Sequence, residues 1–248
     1  MSIVNGELPQ SFLLHYADDN FETLEKSPIA GQGSMTFFRV AFLSIIVALS
    51  GSLPAAAEVP ATADPAAHQI ESFYDALLST MKRGPELGAA GRYNQLQAPI
   101  DAAFDLRAMT QFTVGPAWTA MSDADHTVLV TAFRRMTIAN YAANFDKFSG
   151  QSFTVDPNVL VRGSDKLVQT KLNSPGSDPV ALIYRMRQSG STWKIIDVYL
   201  AGFASELAMR RSEYASTVTS GGATALAKKL NDLADSLMKG TKKPSAAP

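Results

Sequence analysis

The chain has no cysteine among its 248 residues, which excludes disulfides, thiolate catalysis and cysteine-ligated zinc. Histidine is almost as scarce, with three in all. His68 and His126 each fall near the start of an expected helix, where a lone histidine is more often solvated or capping than a base. The most apolar stretch, Val40 to Leu49, is about half of the ~20 residues that a bilayer-spanning helix needs. Charge of neither sign dominates, with 22 basic against 23 acidic residues, so there is no electrostatic footprint for nucleic acid. Also missing are a phosphate-cradling glycine loop, a His-Glu-x-x-His zinc motif and a nucleophile elbow.

What is present becomes organised at Met35. The run MTFFRVAFLSIIVALSGSLPAAAEVP sets Arg39 before an apolar core, then a Gly51-Ser52-Leu53-Pro54 break, then Ala55-Ala56-Ala57. That order is the pattern of a secretory signal peptide. Residues 35–57 are therefore expected to direct export to the periplasm and to be cleaved after Ala57, leaving Glu58 as the mature N-terminus. Residues 1–34 show neither sustained periodicity nor a basic patch and read as a non-functional upstream extension from a start codon placed too early. Removing residues 1–57 takes away two of the 22 basic and five of the 23 acidic residues, leaving 20 and 18, a net charge of +2.

The mature chain opens with helical signals. Asp64-Pro65 places an N-cap before a proline at the first helical position. From Pro65 to Arg83, Ile70, Phe73, Tyr74, Leu77, Leu78 and Met81 recur at three- and four-residue spacing, and Gly84-Pro85 stops the pattern. Shorter helices are expected over Tyr93 to Phe104 and Asp105 to Val114. Ser122 with Asp125 has the form of a capping box for a helix through Leu129, Phe133, Met136 and Tyr141 to about Phe148. After Gly150 the period changes to that of strands: Gln151 to Asp156, Leu167 to Asn173, Val180 to Arg187 and Trp193 to Leu200, with turn-rich connections that imply an antiparallel meander. Helices over Ser205 to Thr219 and Ala223 to Met238 follow, and residues 240–248 read as a disordered tail. This order gives an α+β fold, one domain over 64–239 with one sheet face covered by helices.

The last two strands form a hairpin. With Ser189-Gly190 as its turn, Met186 lies opposite Trp193, Tyr184 opposite Ile195, Leu182 opposite Asp197 and Val180 opposite Tyr199. One face is then apolar and aromatic. The other carries Arg185, Arg187 and Lys194 near the turn and Ala181, Ile183, Ile196 and Val198 behind. Gly202 closes the hairpin, and Ser205 can cap the helix after it. Asp197 stands out as a carboxylate on the apolar face, where an unpaired charge costs several kcal/mol. Pairing with an Arg or a backbone N–H is the reading preferred over an acid–base role. Arg210-Arg211 point about 100° apart on a helix, so one at most faces a given site, and a solvated face is the default.

The run WKIIDVYLAG, followed by Arg210-Arg211 and Tyr214, resembles the C-terminal signature of the MlaC-type periplasmic lipid-binding family, also called the toluene-tolerance auxiliary family. Asp197 to Leu200, Gly202, Ser205 to Ala208 and Arg210 to Tyr214 are closest to its hopanoid-associated branch, HpnM. The resemblance runs from about His68 to Met238. It implies a nuclear-transport-factor-like fold in which a curved antiparallel sheet and helices enclose an apolar cavity. It also implies a non-enzymatic carrier that moves hopanoid-type lipid between the inner and outer membranes, with phospholipid as the alternative cargo and components of an ABC transport pathway in both membranes as partners. The chain is expected to be monomeric and without cofactor or metal. The expected lipid-lining residues are Phe73, Leu77, Phe104, Leu129, Phe133, Leu182, Tyr184, Ile195 and Tyr199. Two other readings remain beside it: a cavity enzyme using Asp197, Tyr184 or His126, and an adaptor that binds a membrane transporter without cargo.

Overall fold

The structure is a computed structural model that describes residues 64–201 and 204–240. The expected extension, signal peptide, hairpin-closing Gly202 and most of the C-terminal tail lie outside the described residues.

Helix α1 (Pro65–Lys82) starts as its sequence dictates: the Asp64 side chain accepts from the Ala66 N–H at 2.8 Å, with proline in the first turn. Its stripe of Ile70, Phe73, Tyr74, Leu77 and Met81 is buried. Arg83 caps its end, and Gly84 follows where the chain runs close to the Asp146 backbone, since a Cβ there would lie 1.9 Å from the Asp146 carbonyl oxygen. Gly84-Pro85 is not only a stop. Pro85 occupies the first turn of α2 (Gly84–Ala103), which begins well before the expected Tyr93 and is interrupted at Gly88, because proline needs no hydrogen-bond acceptor there. Asp105 caps α3 (Leu106–Val114), and a 3-10 helix over Gly115–Ala120 follows. The capping box of Ser122 and Asp125 opens α4 (Asp123–Asn144), which ends short of Phe148.

Six strands follow: β1 (Ser152–Val155), β2 (Leu160–Arg162), β3 (Asp165–Asn173), β4 (Val180–Ser189), β5 (Thr192–Leu200) and β6 (Ala204–Ser205). All pairings between these strands are antiparallel; β3, β4, β5 and β6 form a meander, while β1 and β2 both pair with β3. The short strands β2 and β6 have no alternation of their own to announce them. On the flank of β5, Phe104 bridges to Ile195, and the Asp105 N–H donates to the Ile195 carbonyl at 2.9 Å. The last two expected helices both occur, as the two segments of α5 (Glu206–Met238), divided at Gly222 where φ is 60°. Ser205 caps it through the Ala208 N–H at 3.0 Å.

The hairpin register differs from the expected one in two ways. Ser189 pairs with Thr192, so the two turn residues are Gly190-Ser191, and Met186 lies opposite Ile195 rather than Trp193. Glycine takes the first turn position at φ 61°, the left-handed conformation that a tight hairpin turn demands there. A register shift then falls between Arg185 and Met186, and beyond it Arg185 pairs with Asp197, Tyr184 with Val198 and Leu182 with Leu200. One extra residue on β5 reverses the alternation beyond it. Val198 therefore joins the apolar face with Tyr184, whereas Asp197 and Tyr199 move to the opposite face with Arg185 and Ile183.

The helices cover the face that carries Val168, Tyr184, Met186, Ile195 and Val198. Helix α1 touches β1, β3 and β5, and α4 packs along α5. These elements share one continuous apolar core.

Candidate functional site

The layer between the sheet and α1 and α4 is where the sequence places its candidate residues, and most of them meet there. Phe73 and Leu77 come from α1, Phe104 from the junction before α3, Leu129 and Phe133 from α4, and Tyr184 and Ile195 from the sheet; all are buried. Leu182 is half-buried at the fringe, packed against the core. Tyr199 is not part of this layer, because the bulge in β5 turns it to the other face.

The rings form a connected band. Phe73 meets Phe104 edge-on at 5.2 Å and Tyr141 at 5.4 Å between ring centroids. Tyr141 stacks on Phe145 at 5.7 Å, which reaches Phe153 at 6.3 Å. Phe153 stacks on Tyr74 at 4.0 Å, and Tyr74 meets Tyr184 at 5.8 Å. Phe73, Tyr74, Phe104 and Tyr184 are at most 4% exposed, while Tyr141, Phe145 and Phe153 are half-buried against the core, so the band is only partly closed. A recess of about 410 Å³ lies on the sheet, lined by residues that include Thr154, Val155, Gln169, Thr170, Lys171, Ala181, Leu182 and Ile183, so it reaches Leu182 of the expected lining.

Hydroxyls accompany the band. The Tyr74 hydroxyl is 2.7 Å from Thr170 Oγ1. Burial pushes the phenols of Tyr74, Tyr141 and Tyr184 up, away from ionisation, so at neutral pH they are neutral hydrogen-bonding groups. Next to them is a charged cluster from α5. Arg210 donates from Nη2 to Glu206 Oε1 at 2.6 Å and from Nη1 to the Tyr214 hydroxyl at 3.1 Å. Burial alone would lower the Arg210 pKa, but the Glu206 charge and Tyr214 outweigh it and raise it, so the guanidinium stays charged. This corrects the expected solvated face: Arg210 is turned inward, and Arg211 stays exposed, over the Phe112 ring.

The remaining candidates for chemistry are committed to structure. Asp197 is 6% exposed. Its Oδ1 accepts from the Val198 N–H at 2.8 Å and the Leu207 N–H at 3.2 Å, and its Oδ2 from the Ser205 hydroxyl at 2.6 Å. The backbone pairing preferred from sequence is thus what occurs, and the carboxylate secures the start of α5. Burial raises its pKa against the pull of these bonds. His126 stacks on Trp118 at 3.9 Å and donates from Nε2 to the Trp118 carbonyl at 2.9 Å. Among the described residues no cluster of three or more His, Asp or Glu could hold a metal, and no helix is long and apolar enough to cross a membrane.

Sequence reasoning missed the joining of Tyr74, Tyr141, Phe145 and Phe153 into the band, since the pairs form between distant elements. It also missed the charged cluster, for which a signal existed: Glu206, Arg210 and Tyr214 recur every four residues, on one face of a helix.

The family model described as MlaC protein matches residues 71–232, most of the described fold. The chain belongs to the MlaC family. No curated protein matches it. Among solved structures, it is similar to a phospholipid-binding protein from Ralstonia solanacearum, solved in complex with a phospholipid. The two share 22% identity and a TM-score of 0.62 over 70% of this chain and 99% of the other. That likeness establishes a common fold for this MlaC-family chain, with its helical layer on an antiparallel sheet.

Proposed function

We propose that this MlaC-family protein is a periplasmic carrier that moves a membrane lipid between the inner and outer membranes, and that its cargo is of the hopanoid type. The observation that carries this reading is the partly buried aromatic band that runs from α1 and α4 to the sheet, flanked by hydroxyls that stay neutral. Flat ring faces suit a rigid polycyclic hydrocarbon, and such a surface favours apolar contact by roughly 25 cal/mol per Å² removed from water. The apolar body of the lipid seats there by parting the sheet from the helices, beginning at the half-buried fringe of Phe153, Val155, Leu182 and Leu200. Cargo is handed on to transport components in the two membranes. An enzymatic role finds little support, because Asp197, His126 and the tyrosines are held in structural bonds or kept un-ionised.

A second reading, phospholipid as cargo, is favoured by the Ralstonia solanacearum relative of the same fold, which was solved with a phospholipid. The deciding experiment is solvent extraction and mass spectrometry of protein gently purified from the periplasm of a hopanoid-producing host. Recovery of a polycyclic triterpenoid in stoichiometric amount is expected. Phospholipid alone would establish the second reading. Repeated recovery of folded, lipid-free protein would overturn both.

A further inference from the structure

Arg210 is a half-buried cation whose donors are unevenly matched. A guanidinium presents five N–H donors and no acceptor. Glu206 and the Tyr214 hydroxyl receive two of them. The other acceptor that Nη1 reaches is Met136 Sδ at 3.7 Å, a thioether and so a weak acceptor. The site is largely screened from water: Tyr214 is 0% and Met136 1% exposed, while the Arg210 and Glu206 side chains keep 17% and 26% exposure. Fold stability does not explain such a group, since a buried ion pair is commonly no more stabilising than apolar residues of the same volume. Its position does. Nη1 reaches Met136 of α4, the helix that also supplies Tyr141 to the aromatic band, and Tyr184 and Tyr74 continue the hydroxyls across the core.

A membrane lipid is a hydrocarbon body with oxygen at one end. If the body lies against the rings, the oxygen needs a donor at the edge of the band. We propose that Arg210 is the polar anchor of the cargo: its Nη1–H leaves Met136 Sδ and donates to an oxygen of the bound lipid, while Glu206 holds the guanidinium in place. This rests on the carrier reading and sharpens it, because the anchor selects oxygenated lipids over plain hydrocarbons. The oxygen chemistry is shared by the phosphate or ester of a phospholipid and the hydroxyl of a polycyclic alcohol.

The test uses delipidated mature protein loaded from dispersions of three probes: phosphatidylglycerol, a hydroxylated hopane and the matching hopane hydrocarbon. Bound lipid is counted by mass spectrometry after gel filtration. The double variant Glu206→Gln, Arg210→Met removes both charges together, so that neither is left unpaired. Wild type is expected to favour at least one oxygenated probe over the hydrocarbon by about 10- to 100-fold, the range of one hydrogen bond to a charged group. In the folded double variant this preference should fall to about threefold or less, and the probe that loses its advantage identifies the oxygen recognised. The anchor is overturned if the variant keeps the preference, if wild type takes the hydrocarbon equally well, or if the double variant cannot fold. Wild type that loads none of the three overturns the carrier reading along with it.

Discussion

Replacing Asp197 by alanine should loosen the junction between the sheet and α5. The carboxylate receives the Val198 and Leu207 N–H groups and the Ser205 hydroxyl at 2.6–3.2 Å from a position 6% exposed. Without it the Leu207 N–H and the Ser205 hydroxyl lose a partner where water has little access, and a buried polar group left unsatisfied costs about 1–3 kcal/mol. Two such groups, with part of the loss relieved by relaxation, come to about 3–4 kcal/mol. At about 2–4 °C per kcal/mol for a domain of this size, the melting temperature should fall by about 10 °C. Asp197→Asn is the informative control. Its Oδ1 still accepts both N–H groups, and its amide can donate to Ser205 Oγ, so the loss should be within about 1 kcal/mol. The pH dependence has a definite sign. Because burial raises the Asp197 pKa, the folded state holds its proton more tightly than the unfolded chain, and stability from this group declines as pH rises from about 4 through the folded-state pKa. Asn has no such slope and should compare best with wild type near neutrality. Thermal melting by circular dichroism at several pH values measures all of this. An alanine variant melting within about 2 °C of wild type, or an Asn variant as damaged as alanine, would refute the account of α5 as held by this side chain.

Asp165 should behave in the opposite sense. Hydrogen bonds from Arg187, opposed by burial and joined by Arg185, hold its carboxyl below the usual range, so its stabilisation is present above about pH 4 and lost as pH falls through the lowered pKa. Asp165→Asn should therefore flatten the acid limb of a melting-temperature series, and parallel limbs in the two proteins would count against it. Phe73→Ala removes a ring that touches Phe104, Tyr141 and Tyr74; a loss of about 3–5 kcal/mol is expected in denaturant titration, and less than about 1 would mean that the band is loosely packed. Leu182→Asp, at the half-buried fringe opposite Leu200, should leave the protein folded but strip it of extractable lipid, whereas full loading would place the cargo elsewhere. Intact-mass analysis of protein exported by a Gram-negative host should show Glu58 as the first residue, and a mature species that keeps residues 1–34 would refute the proposed start at Met35.

The parts of this fold that are local in sequence were legible there. Asp64-Pro65, the Ser122 and Asp125 box and the Ser205 cap each act within a few residues, and each occurs as expected. The hairpin register was not, because a one-residue bulge has no signature of its own in WKIIDVYL: its alternation is equally consistent with an unbroken strand. Asp197 was therefore given the right kind of partner on the wrong face, and Tyr199 the wrong face altogether. Arg210 beside Arg211 reads as surface charge when neighbours are compared. Only the four-residue spacing to Glu206 and Tyr214 distinguishes it. Whether Phe73 and Tyr184 pack against protein or against a ligand is a property of how far the layers separate, which side-chain periodicity does not encode.

The edges of the sheet bear on whether copies of this chain can stack on one another. On one flank the margin is divided between β1, of four residues, and β2, of three, both laid on β3. Pro157, between them, has no N–H to offer. On the other flank the Phe104 bridge and the two-residue β6 occupy parts of β5. An unpaired strand is a template on which a second copy can build, and here neither margin offers a long uninterrupted one. The same segmentation that hid β2 and β6 from a reading of the sequence would thus protect against stacking of copies into fibres, leaving the sheet free to shift against its helices without recruiting its neighbours.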